Sequence, residues 1–139
     1  MVDPERVVAV LERLEDERKQ LGELAKTSPQ ELLSDRVRLS AVKYGFVVAI
    51  EACIDVANHI IASENLRAPE GYADAFTVLA DAALLPSELA ENMRAMVGFQ
   101  NLLIHVYAKV DEARVLDILR TRLDDLRRFA MEIAKAIRK

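Results

Sequence analysis

With 139 residues, 52% hydrophobic and 30% charged, the chain is too apolar to be disordered and long enough to bury one domain's core without disulfides or a structural metal. A net charge of −4 excludes phosphate-driven nucleic-acid binding across the whole surface and leaves room only for a local basic cleft. Cys53 is the single cysteine and sits in an apolar run, which excludes a disulfide framework or a Cys-based zinc site and reads as a buried structural thiol.

The opening Met1-Val2-Asp3-Pro4-Glu5-Arg6 lacks the basic and then apolar order of a signal peptide, and Glu51 and Asp55 interrupt the longest apolar run. A cytoplasmic protein without a membrane association is therefore expected. Glycine and proline number only four each, so local propensity favours helix almost throughout.

Asp3 and Pro4 predict a capped helix start, and Val7, Leu11, Leu14, Leu21 and Leu24 continue it at helical spacing to about Lys26. Thr27-Ser28-Pro29-Gln30-Glu31 breaks the pattern and restarts it as a short connecting helix, with Ser28 and Glu31 spaced as a capping box. From Asp35 to about Glu64, Leu39, Val42, Phe46, Ala49, Ile50, Cys53, Val56, Ile60 and Ile61 give a wide apolar face, the mark of a central, heavily buried helix. Ala68-Pro69-Glu70-Gly71 punctuates the chain before a shorter helix from Tyr72 to Ala83. Pro86 and Ser87 start the next helix, which should run to near Tyr107. After Asp111, Leu116, Leu119, Leu123, Leu126, Ala130, Ile133 and Ile137 step by three and four to the end, a heptad seam suited to an intermolecular coiled coil or, with short connections, to packing inside the bundle. The expected architecture is all-α, an up-and-down bundle of four to five main helices over residues 1–139.

Chemistry concentrates in Gln100-Asn101-Leu102-Leu103-Ile104-His105-Val106-Tyr107. Asn101 and His105 are one helical turn apart, while Gln100 and Tyr107 share another face, so two polar faces converge near one helix end. His105 can exchange protons near neutral pH, and Asn101 can donate to a phosphate or carbonyl oxygen. Spacing leaves two readings open: a catalytic pair, or a core histidine bonded to its neighbours. Glu51, Asp55 and His59 step by four along the long helix and could line a metal site, although one helix alone cannot complete it, and buried or interfacial hydrogen bonding is the better reading. Arg120, Arg122, Arg127, Arg128, Lys135, Arg138 and Lys139 alternate with Asp117, Asp124, Asp125 and Glu132, which reads as a solvated face rather than an RNA track.

The stretch from Phe99 to Tyr107 resembles the Arg-x4-6-His-x-Tyr motif of HepT-type toxins in the HEPN superfamily. The likeness extends through residues 49–62, Tyr72-Ala73-Asp74-Ala75-Phe76, Met96-Val97-Gly98-Phe99 and Asp124-Asp125-Leu126. It implies a HEPN-like bundle that forms a homodimer, with a cleft between protomers that cleaves RNA without a metal or cofactor. It also implies a minimal nucleotidyltransferase antitoxin that silences the toxin by adding AMP to the motif tyrosine. Carried onto this chain, His105 is the acid or base, Asn101 a polar helper and Tyr107 the modified hydroxyl. Gln100 stands where the family has arginine and is the third catalytic candidate, although a neutral amide there replaces a charged planar fork. Arg94 lies eleven residues before His105, about 16 Å along a helix, so a missing cation would have to come from a partner protomer or from Lys109. The resemblance thus allows an active ribonuclease, or a catalytically weakened HEPN protein that keeps the dimer and the nucleotidyltransferase interface.

Overall fold

Seven helices and no strand make up residues 2–105 and 111–138, the parts that the computed structural model describes. They are α1 (Pro4–Leu24), α2 (Pro29–Ser34), α3 (Arg36–Ser63), α4 (Asp74–Asp81), α5 (Ser87–His105), α6 (Glu112–Thr121) and α7 (Leu123–Ile137). The starts follow the side-chain chemistry. Asp3, Ser28, Asp35 and Asp111 each accept a hydrogen bond from a backbone N–H in the first turn of the helix they precede. Of the Ser28–Glu31 capping box only the forward half forms, Glu31 N–H to Ser28 Oγ at 3.2 Å, because the Glu31 carboxylate turns to Arg38 at 3.7 Å.

The centre of the bundle is α3, flanked by α1, α2, α4, α5 and α7. By length and composition it could cross a membrane, yet most of it is buried among those neighbours, as the width of its apolar face requires. α1 runs antiparallel to it: Arg6 reaches Asp55 at 3.5 Å at one end, while Leu21 packs over Gly45 at the other. A Cβ on Gly45 would stand 2.9 Å from Leu21 Cδ2, so the absent side chain lets the two helices close. On α1 the fully buried residues are Val7, Leu14 and Leu21, a seam one residue wide at heptad spacing.

The final helix expected after Asp111 is broken at Arg122 into α6 and α7. No glycine or proline marks the break. The Thr121 hydroxyl donates to the Asp117 carbonyl at 2.7 Å, and Arg122 leaves helical geometry at φ −118°, ψ 0°. The kink turns α7 onto α1, α3 and α5, and Leu119, Leu126 and Ile133 are almost fully covered within this one chain. The seam is spent inside the bundle, not offered for a coiled coil.

Candidate active site

Two side chains set the rotation of α5. Phe99 meets Phe46 of α3 edge-to-face, with ring centroids 5.3 Å apart. Beside it Gln100, 2% exposed, donates from Nε2 to the Val47 carbonyl at 3.2 Å and to Glu51 Oε2 at 3.0 Å. Both amide hydrogens are committed to α3.

The next two polar residues of the motif are thereby turned outward. Asn101 and His105 are exposed and share a face of α5, and neither side chain makes a hydrogen bond or ion pair among the described residues. His105 is thus exposed rather than buried in the core. Gln100 lies five residues before His105, about 140° away around the helix, so the two do not form one patch. Gln100, the third catalytic candidate, is in this fold a buried tie between helices. Tyr107 and Lys109 lie outside the described residues, and so does the face Tyr107 was expected to share with Gln100. Arg94 is exposed on the outer side of α5, without an ion pair among the described residues.

Glu51, Asp55 and His59 serve three different neighbours. Glu51 accepts from Gln100, Asp55 faces Arg6, and His59 Nε2 accepts the Asp3 backbone N–H at 3.1 Å. Glu51 and His59 are hydrogen-bonded to other helices or their ends and Asp55 is ion-paired, while Glu51 itself is exposed. The charged C-terminal face likewise pairs internally: Arg127 with Asp124 at 2.6 Å, Arg128 with Glu88 at 2.7 Å and Lys135 with Glu132 at 3.5 Å. The partnership of Glu51 with Gln100 escaped the sequence reading. Its signal was present, since Gln100 falls in phase with Leu89, Met93, Met96 and Val97 on the buried stripe of α5.

Three comparisons with known proteins bear on this site. The family model described as Ribonuclease HepT-like matches residues 2–133. An mRNA nuclease HepT of Shewanella oneidensis is 36% identical over 86 residues, 62% of this chain, and the aligned stretch spans 64% of that relative, just under two thirds of its length. A tri-AMPylated HEPN toxin of Shewanella oneidensis, solved in complex with its MNT antitoxin, superposes with a TM-score of 0.86 at 26% identity, over 94% of this chain and 96% of that one. The cytosolic protein of unknown function YutE from Bacillus subtilis shares the fold at a TM-score of 0.86 and 18% identity, covering 98% of this chain and 91% of its own.

Proposed function

Because this chain belongs to the Ribonuclease HepT-like family, we propose that it is the toxin of a HepT/MNT toxin–antitoxin pair, a metal-independent endoribonuclease acting on RNA in the cytoplasm. The observation that carries the proposal is the outward pair Asn101 and His105, without partners among the described residues, on a helix whose rotation is locked by Phe99 and Gln100.

In this reading two copies of the chain form a homodimer that brings their α5 ends to one cleft. One His105 takes the proton of a ribose 2′-OH as its oxygen attacks the adjacent phosphorus. The other His105 gives a proton to the departing 5′-oxygen, leaving a 2′,3′-cyclic phosphate and a 5′-hydroxyl. Asn101 donates to a non-bridging oxygen as charge builds on the phosphorane. Gln100 does not touch RNA; with Glu51 it is a positioning residue. The antitoxin inactivates the site by joining the α-phosphorus of ATP to the Tyr107 hydroxyl oxygen, with pyrophosphate leaving.

The buried, neutral Gln100 supports a second reading, a weakened HEPN protein that binds its partner but cleaves poorly. One assay separates them: RNA incubated in EDTA with the wild type, His105→Ala and Gln100→Arg. Cleavage by the wild type and at least a hundredfold loss in His105→Ala is the expected outcome, in the usual range for removing an acid–base group. An inert wild type beside a cleaving Gln100→Arg variant would replace the first reading with the second. Mass spectrometry after incubation with the nucleotidyltransferase and ATP should place AMP on Tyr107, and AMP found only elsewhere would refute that assignment.

A further inference from the structure

A cavity of about 200 Å³ opens between α5 and α6, beside the Arg122 break. Its apolar floor is Met96, Phe99 and Ile118, and its polar rim is Arg114, Asp117 and Arg122. Arg114 and Asp117 are one turn apart on α6, the spacing at which opposite charges commonly pair, yet they form no ion pair with each other. Neither side chain has a partner among the described residues, and both are exposed. Arg122 is held in place by the largely buried Asp125, whose Oδ2 is 3.7 Å from Nη1 and whose Oδ1 accepts from Asn92 at 3.4 Å.

The groove and the candidate active site are carried by the same helix, with Phe99 and His105 about 120° apart around its axis. Phe99, Leu102 and His105 succeed one another at steps of three on α5, about 9 Å along the helix from first to last, which a short stretch of single-stranded RNA can span. An apolar floor with two guanidinium groups and one carboxylate at its edge matches the parts of a nucleotide. The base lies on the floor, a phosphate meets the arginines, and a carboxylate with two acceptor oxygens suits a base edge with two adjacent donors. In RNA that base is guanine, through N1–H and the 2-amino group. We propose that this groove is a nucleotide subsite of the RNA substrate, in which Arg114 and Arg122 hold a phosphate of the bound strand away from the scissile one and Asp117 selects guanine. The proposal rests on the ribonuclease reading but concerns binding, not the chemical step.

The test uses hexanucleotides that cannot be cut because every ribose is 2′-O-methylated: one all uridine, one with a single guanosine. Fluorescence anisotropy with the full chain should show tighter binding of the guanosine oligomer. Arg114→Ala should weaken both oligomers about tenfold and lower the slope of log affinity against log salt by about 0.7, the loss of one single-strand phosphate contact. Asp117→Asn should erase the guanosine preference while leaving the uridine oligomer unaffected. Wild-type affinity, salt slope and preference in both variants would overturn the subsite, as would a wild type that binds neither oligomer. Both residues are exposed, so the variants keep their helicity, which circular dichroism verifies. Cleavage of the all-ribose oligomers by wild type and His105→Ala reports separately on the ribonuclease reading.

Discussion

Gln100 carries more of the fold than any other polar side chain in α5. Its amide ties α5 to α3 through two acceptors, and Gln100 itself is almost fully buried. Gln100→Ala removes both donors at once and should cost about 1–3 kcal/mol of stability, the net contribution of one hydrogen bond to a carbonyl and one to a carboxylate. Urea denaturation followed by circular dichroism measures it, and an unchanged midpoint would show that the tie contributes nothing net. The same residue shows how far the motif could be read from one chain. The outward direction of Asn101 and His105 follows from a four-residue step on a helix. The inward direction of Gln100 depends on Val47 and Glu51, about fifty positions away in sequence and adjacent only in the folded bundle.

Helix ends and connections were legible where a side chain caps its own backbone, and obscure where a distant partner decides. α4 begins at Asp74 rather than Tyr72, because the Asp74 carboxylate is drawn into the preceding connection. Arg67 donates to its two oxygens at 2.7 and 3.1 Å, and the Glu70 N–H donates at 2.9 Å. Chiefly through Arg67, and then through that backbone N–H, the Asp74 carboxyl is held down to about 2. Since the folded-state value is depressed, the stabilisation is complete above the ordinary carboxylate range and is lost as pH falls through that range toward 2. Amide exchange in residues 66–73 should therefore accelerate, relative to the core of α3, between about pH 4 and pH 2. Asp74→Asn should show the faster exchange already at neutral pH. Equal protection in the variant at pH 7 would disprove the role. The break between α6 and α7 belongs to this scale as well: local propensity runs through Arg122 unbroken, and the kink is set by where α7 must go to cover α1, α3 and α5.

Across the whole molecule one hydrophobic cluster draws on all seven helices, and Cys53 lies at its centre with no exposure. Burial pushes the Cys53 thiol far above its ordinary range, so no thiolate is available to react in the folded state. Alkylation of Cys53 should then follow global unfolding, with the same urea midpoint as helicity, as a single cooperative core requires. Thiol labelling well below the helicity midpoint would instead reveal an independently opening part. Taken alone, the amino-acid order determined the all-α class, the central helix, the capped starts and the family, because these depend on periodicity and on groups a few residues apart. Tertiary structure decided that Gln100 turns inward while Asn101 and His105 face solvent, where the last helix breaks and which charges around the α5–α6 groove lack a partner among the described residues. Those outcomes depend on which surfaces meet across long stretches of chain, and packing against a distant helix outweighs local preferences worth a fraction of a kcal/mol per residue.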